Sequence, residues 1–176
     1  MGCDVAAAVA ADVDELSGVA AQTFPLACPA SVSAADVAAF IDENLSAHRF
    51  ADYLADPDRL VLTARDDGRM VGYAMLIQGV PDDDDVHRAV TPRPAIELSK
   101  MYVLPGSHGA GVSAALMSAV FSAARELRAH VVWLGVNQQN ARAQRFYLKH
   151  GFTISGTKTF RLGEATENDY VMVCPV

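Results

Sequence analysis

The fold is decided by residues 104–119, which read LPGSHGAGVSAALMSA. Upstream, residues 96–104 form a β-branched and apolar run that is typical of a strand. Downstream, apolar residues recur at helical spacing: Val112, Leu116, Ala119, Val120, Ala123 and Leu127. The glycines allow backbone N–H groups at the start of this helix to face an anion, and the helix dipole favours negative charge there. The segment therefore predicts a phosphate-binding loop between a strand and a helix.

Two nucleotide-binding designs share these glycines, but each lacks a residue that its chemistry requires. Residues 109–114 satisfy the dinucleotide pattern G-x-G-x-x-G/A, which also needs an acidic residue about 20 residues further on for the ribose. The segment 131–137 reads VVWLGVN and contains no carboxylate. Gly106 and Gly111 match the glycine spacing of a triphosphate loop, yet Val112 stands where the lysine is required. Both designs are excluded.

The remaining design needs fewer side chains. Residues 107–111, SHGAG, resemble the pyrophosphate loop of the GNAT superfamily of acyl-coenzyme A N-acyltransferases, whose pattern is Gln/Arg-x-x-Gly-x-Gly/Ala. Gly106 departs from that pattern at its first position. Residues 136–152, VNQQNARAQRFYLKHGF, match the second motif of the family, V-x-x-x-N-x-x-A-x-x-F-Y-x-K-x-G-F, at every position. The resemblance implies an acetyl-CoA-dependent N-acetyltransferase.

The order of predicted elements is that of a mixed α/β sandwich. Asp12 and Glu15 form a capping-box signature for a helix toward Phe24, and Ser33 with Asp36 opens a second helix. Strands at 59–65 and 70–77 should pair around the turn sequence Asp66-Asp67-Gly68, and residues 79–94 are predicted as an exposed loop. The other predicted elements are a short strand at 4–8, a strand at 96–104, a helix at 109–128, a strand at 131–136, a helix at 140–150, and a closing strand pair near 152–160 and 170–173.

We therefore predict a GNAT-like α/β (α+β sandwich) fold. Its mixed, mostly antiparallel sheet should have about six or seven strands flanked by about four helices, with one parallel strand–helix–strand crossover at the pyrophosphate loop. The 176 residues should form a single N-acetyltransferase domain, in which 1–95 are the acceptor-side half and 96–176 the acetyl-CoA-binding half.

Composition and charge restrict the function classes. No apolar run is long enough to cross a membrane, so we expect a cytoplasmic chain, as monomer or homodimer. Three scattered cysteines and five unclustered histidines predict no metal site. Residues 1–100 hold 17 acidic and 7 basic side chains, whereas 101–176 hold 4 and 7. With no basic stripe of interleaved aromatics, nucleic acid is not expected as a partner.

The resemblance implies a set of cofactor contacts. The backbone of the loop and helix start should hold the pyrophosphate of acetyl-CoA, and the preceding strand should pair with its pantetheine arm. Asn140 should contact the cofactor and also cap its helix, while Lys149 could reach the nucleotide phosphate, as could Arg142 and Arg145. The predicted loop contacts are His108, Gly109, Ala110, Gly111, Val112 and Ser113, and the strand contacts are Met101, Tyr102 and Val103.

Two residues are predicted to act in catalysis. Tyr147 matches the family tyrosine whose hydroxyl protonates the leaving thiolate, and Phe146 beside it should fill the core while Tyr147 faces the cleft. Glu97, at the start of the central strand, is the candidate base that deprotonates the incoming amine. Backbone amides of that strand would polarise the thioester carbonyl. Direct attack by the amine requires no cysteine nucleophile.

The acceptor is less constrained. The segments 133–137 and 156–163 resemble bacterial polyamine N-acetyltransferases, and the acidic first half suits a polycationic amine such as spermidine. Another small-molecule or peptide amine is the alternative acceptor. A third alternative is a non-catalytic acyl-CoA-binding sensor domain, against which Tyr147 argues.

Overall fold

The computed structural model describes residues 2–176, and the side chains of all of these except residues 108–110. Seven strands form one sheet, and six α-helices and two short 3-10 helices connect them. The strands are β1 Asp4–Ala7, β2 Arg59–Asp66, β3 Arg69–Gln78, β4 Ala95–Val103, β5 Val131–Asn137, β6 Thr153–Leu162 and β7 Ala165–Pro175. The helices are α1 Val13–Ala27, α2 Ala34–Asn44, α3 Ala47–Ala55, α4 Asp84–Ala89, α5 Val112–Glu126 and α6 Ala141–Lys149, with 3-10 turns at Ala10–Asp12 and Pro105–Ala110.

The sheet order is β1-β2-β3-β4-β5-β7-β6. Every pair is antiparallel except β4 and β5, which run parallel and are joined through α5. Parallel neighbours need such a crossover because a short turn cannot return the chain to the same end of the sheet. The predicted fold class, with its single crossover at the glycine-rich loop, is confirmed.

The sheet separates two main apolar layers. On one face, α5 buries Leu116, Met117 and Val120 completely. On the other face, α1 and α3 pack Leu16 and Phe50 onto the strands. Leu116 and Met117 lie four and three residues before Val120, which is the spacing of a helix stripe facing a sheet. The cleft described below passes between these two layers.

The described residues form two more α-helices than the four or so that were predicted, namely α3 and α4. Ser46 caps α3, its hydroxyl accepting from the Arg49 amide at 3.2 Å. The predicted loop 79–94 contains α4, in which the Asp83 carboxylate accepts from the amides of Asp85 and Val86. The run of four aspartates suggested a solvated loop, but its first turn is capped and Val86 is buried beneath it. No helix in the described part of the chain is long and apolar enough to span a bilayer.

The first predicted helix is correct in position but not in its capping. The Asp12 carboxylate accepts from the Val9 amide at 2.9 Å and pairs with Arg65, so it caps the preceding 3-10 turn. Glu15 accepts from the Met70 amide at 2.9 Å and fastens α1 to the sheet. The helix also continues past Pro25 to Ala27, because a proline removes only one hydrogen bond this close to the helix end.

Two other local predictions are confirmed. The Ser33 hydroxyl accepts from the Asp36 amide at 3.0 Å and begins α2. Asp67 and Gly68 both adopt positive φ, 50° and 77°, as a two-residue hairpin turn between β2 and β3 requires.

Candidate active site

The candidate site is a cleft that opens where β4 and β5 part. Their parallel pairing extends only from Ala95–Val131 to Glu97–Trp133, and beyond that point the strands diverge. The opening belongs to a cavity of about 670 Å³ walled by β4, β5, β6, β7 and helices from both faces of the sheet. A gap of this kind allows an extended ligand to lie between two strands with its ends on opposite faces.

A β-bulge sets which side chains of β4 face this cleft. Met75 of β3 lies opposite Lys100, but the next residue, Leu76, lies opposite Leu98, so Ser99 is the extra residue. Side chains of a regular strand alternate, and residues three apart point to opposite faces. The extra residue restores Lys100 to the face occupied by Glu97. Alternation alone would have placed the two charges apart, and Lys100 was not predicted as a site residue.

Burial changes the proton affinities of both groups. It raises the pKa of the Glu97 carboxyl, against the opposing positive charges of Lys158, Lys100 and Arg59. It lowers the pKa of Lys100 to about 8, although the Glu97 carboxylate opposes this shift. Both shifts move the group toward neutral pH, where a proton can be exchanged with a substrate.

A half-buried ion pair lies beside them. Lys158 of β6 contacts the Asp169 carboxylate of β7 at 3.3 Å, above Gly135 of β5. A β-carbon on Gly135 would lie 2.5 Å from Lys158 Cε and 3.0 Å from an Asp169 oxygen, so a side chain here would have to displace the end of Lys158. Burial also raises the pKa of Asp169, despite Lys158. A glycine inside a strand was the sequence signal that could have revealed this close approach.

The start of α5, where an anion was predicted to bind, lines the cleft. Gly111 precedes the helix with φ of 76°, a left-handed conformation that glycine adopts without strain. Ser113 and Ala114 line the cleft, whereas the Val112 side chain is fully buried in the core, which leaves its backbone as the group that could face a ligand. The predicted contacts His108, Gly109 and Ala110 lie outside the residues whose side chains are described.

The strand residues that were predicted to meet the cofactor all line the cleft: Met101, Tyr102 and Val103. Their side chains alternate between the two apolar layers, Met101 and Val103 toward α5 and Tyr102 toward α1. Burial raises the pKa of the Tyr102 phenol far above its usual value, with a contribution from nearby Tyr147. Their contact with a cofactor stays a prediction.

The second motif forms the opposite wall. Asn140 caps α6, its carboxamide oxygen accepting from the Ala143 amide at 3.1 Å, and it also lines the cleft. Arg142 near the start of α6 and Lys149 at its end are exposed and also line the cleft, so both bring positive charge to it. Arg145 is exposed and is not among the described residues that line it.

Tyr147 lines the cleft from α6. Its ring contacts Phe146 and Phe152 edge-on, with centroid distances of 5.5 and 5.7 Å. Burial raises the pKa of its hydroxyl to about 12. Phe146 lines the cleft as well and both rings pack on the core, so the predicted division between a core phenylalanine and a cleft tyrosine is wrong. The short helix packs at the mouth of the cleft, where neighbouring side chains can both reach it.

No group of three or more potential metal ligands occurs among the described residues. Cys28 lines the cleft, and burial with a contribution from Glu167 raises the pKa of its thiol. A thiol in this state is a poor nucleophile at neutral pH.

Comparison with known proteins defines the class. The Acetyltransferase (GNAT) family matches residues 27–152, and the chain belongs to this family. It is an N-acetyltransferase by that membership.

Relatives and solved structures agree with this assignment. An uncharacterized N-acetyltransferase of Mycobacterium tuberculosis is 60% identical over 162 residues, which cover 92% of this chain and 96% of that protein. Another uncharacterized N-acetyltransferase, from Lactobacillus delbrueckii subsp. lactis, is 24% identical, and the match covers 92% of this chain and 90% of that protein. The PaiA N-acetyltransferase of Thermoplasma acidophilum, solved in complex with coenzyme A, superposes with a TM-score of 0.78 at 18% identity and full coverage of both chains. The ribosomal-protein-S18-alanine N-acetyltransferase of Escherichia coli superposes with a TM-score of 0.68 at 16% identity, and the match covers 99% of this chain and 94% of that one.

Proposed function

We propose that this chain transfers an acetyl group from acetyl-CoA directly to a primary amine. The observation that carries the proposal is the divergence of β4 and β5 beyond Glu97, with the α5 N-terminus at one end of the gap and Tyr147 beside it. The coenzyme A bound to the structurally similar PaiA protein supports the choice of donor.

The donor would be held mainly by backbone. The amides of Gly111, Val112 and Ser113 begin α5, where the helix dipole adds to hydrogen bonds that reach a pyrophosphate. Asn140 and Lys149 would contact the donor from α6. Residues 101–103 would pair with the pantetheine arm through main-chain groups, as a further strand pairs with a sheet edge.

The transfer removes two protons from the acceptor ammonium and supplies one to the leaving sulfur. Glu97 accepts the first proton, directly or through a water molecule, and later gives it to solvent, while the freed nitrogen attacks the thioester carbonyl carbon. The C–N bond forms and the C–S bond breaks. Tyr147 donates its hydroxyl proton toward the leaving sulfur, and the second proton of the attacking nitrogen passes through water to restore that hydroxyl. Among the described residues no hydrogen bond engages that hydroxyl, so it is available to the thiolate.

Lys100 is an additional participant that the bulge brings to the site. With a pKa of about 8, it can hold or release a proton at neutral pH next to Glu97. Its positive charge would favour the basic, carboxylate form of Glu97, because Lys100 opposes the rise in the pKa of that carboxyl.

A polyamine acceptor is the narrower candidate. The observation in its favour is that three carboxylates line the cleft: Glu97, Glu167 and Asp169. The acidic run at residues 82–85 does not contribute, because none of these residues is among the described residues of the lining. A higher kcat/KM for spermidine than for any monoamine would establish this candidate.

The test is release of free thiol from acetyl-CoA in the presence of a panel of primary amines, with the acetylated product identified by mass spectrometry. Thiol release that depends on both an amine and the enzyme is expected. Binding of coenzyme A measured by calorimetry, with no amine turned over, would instead indicate a non-catalytic sensor domain.

A further inference from the structure

The half of the cleft that faces α1 and α2 has a continuous aromatic wall. Phe24 and Phe40 stack with their ring centroids 4.5 Å apart and their planes within 11°. Phe160 of β6 meets Phe40 edge-on at 5.8 Å, and Tyr102 of β4 meets Phe24 edge-on at 6.5 Å. The four rings join β6 to β4 through the two helices, and all of them line the cleft.

Aliphatic side chains extend this wall to the rim. Leu26, near the end of α1, lines the cleft with 66% of its surface exposed. Leu45 and Leu162 lie deeper and are buried. Of the described lining residues that α1 and α2 contribute, none is charged. An exposed apolar side chain at the rim of a cleft is typical of a surface that a ligand covers.

Charged side chains line two parts of the cleft, the α6 side with Arg142 and Lys149, and the floor. Three carboxylates lie on the floor with Lys100 and Lys158, and most of these groups already have a partner. Asp169 pairs with Lys158 at 3.3 Å, and Glu167 accepts from the Asn137 side-chain amide at 3.3 Å. With three carboxylates and two lysines, the floor has an excess of about one negative charge, which suits one ammonium group.

We propose that the acceptor is a primary amine with a single ammonium group on an aromatic or branched alkyl body. The body packs against the aromatic wall, and the amine reaches Glu97. This inference rests on the proposed N-acetyltransferase activity and specifies its substrate class.

The wall is poorly suited to a polyamine. Each additional ammonium would lose water against Phe24, Phe40 or Leu26 without a carboxylate to replace it. Cation–π contact is a weak substitute here, because Phe24 and Phe40 cover one ring face of each other by stacking. A hydrocarbon or aryl body gains from the same surface by leaving water.

The experiment compares three acceptors at saturating acetyl-CoA. They are 2-phenylethylamine, ethylamine, which has the same reacting end without the aryl body, and spermidine. We expect kcat/KM for 2-phenylethylamine to exceed both others by about tenfold or more, which is the effect of one well-packed ring.

Variants test whether the wall supplies this preference. Leu26→Ser removes an exposed apolar contact at the rim with little effect on folding, and Phe40→Ala removes a ring from the wall. Both should raise KM for 2-phenylethylamine severalfold or more and leave KM for acetyl-CoA unchanged. Leu127→Ser is the matched control, because Leu127 is another exposed leucine beside a helix end, 40% exposed, and it is not among the described residues that line the cleft.

The outcomes separate the two proposals. A higher kcat/KM for spermidine, or an aryl preference that survives in both Leu26→Ser and Phe40→Ala, overturns the inference and leaves the acetyltransferase proposal standing. Binding of coenzyme A without turnover of any amine overturns the proposed function, and the inference falls with it.

Discussion

Replacing Tyr147 by phenylalanine should slow the acetyl transfer and leave the fold intact. The hydroxyl pKa of about 12 lies above that of an ordinary thiol, about 8.5, so the phenol is a weaker acid than the thiol that it would help to form. Complete proton transfer to the thiolate would be uphill by roughly 5 kcal/mol for that difference. Tyr147 must therefore act first as a hydrogen-bond donor to the sulfur as negative charge develops.

The size of the effect follows from that role. A hydrogen bond to a charged group contributes about 1.5–3 kcal/mol, which corresponds to roughly 10- to 150-fold in kcat. KM for acetyl-CoA should change little, because the ring contacts with Phe146 and Phe152 do not involve the hydroxyl. With its pKa raised to about 12, Tyr147 stays protonated over the pH range in which the enzyme can be assayed. It should therefore cause no loss of rate at basic pH in the pH–rate profile.

The assay is steady-state thiol release with a saturating amine, combined with thermal unfolding of each variant. Tyr53→Phe is a matched control, because its hydroxyl donates to the Asn44 carbonyl at 2.7 Å on the far side of the α1 layer. Loss of that bond should cost about 1 kcal/mol and lower Tm by about 2–4 °C with unchanged kcat. If Tyr147→Phe keeps kcat within about twofold of the wild type, Tyr147 is not the proton donor.

Three other substitutions test the floor and walls of the cleft. Glu97→Gln should lower kcat/KM and remove the decline of kcat/KM at acidic pH. The pKa of Glu97 is raised, so in the wild type this base is lost by protonation at a pH above the usual carboxyl range. An unchanged pH–rate profile would exclude this role. Gly135→Ala should displace the flexible end of Lys158 from Asp169 and lower the free energy of unfolding by about 1 kcal/mol or less in chemical denaturation, whereas Gly18→Ala in α1, with open space around it, should be neutral or stabilising. Asn140→Ala should cost about 1 kcal/mol through the lost helix cap and also raise KM for acetyl-CoA; a stability loss with no change in KM would restrict Asn140 to capping.

Much of the fold could be predicted because its signals are local. The glycine-rich junction at 104–119, the hairpin turn at Asp67 and Gly68, and the Ser33 cap each depend on neighbouring residues alone. The second motif likewise located Asn140 and Tyr147 on one short helix. At Asp12 the predicted cap was wrong because a long-range contact with Arg65 engages the carboxylate, whereas α3 and α4 were missed although their Ser46 and Asp83 caps are local.

The active-site floor could not be predicted in this way. The composition of β4 suggests a regular strand, in which Glu97 and Lys100 would face opposite sides of the sheet. The bulge at Ser99 arises from the register with β3, and a strand's own sequence does not specify which partner residue it will oppose. The charged pair and its shifted proton affinities exist only because of that register.

The sequence by itself determined the class of protein and predicted which end of the cleft would take an anion, because a phosphate site of this kind needs only glycines and a helix start that adjoin in the chain. The tertiary structure alone decided what the acceptor meets. It brought Phe24, Phe40 and Phe160 from three separate elements into one wall, and it set Lys158 against Asp169 over Gly135. Such groups are distant in sequence and meet only when the sheet and its helices pack, so their chemistry cannot be inferred before the fold is known.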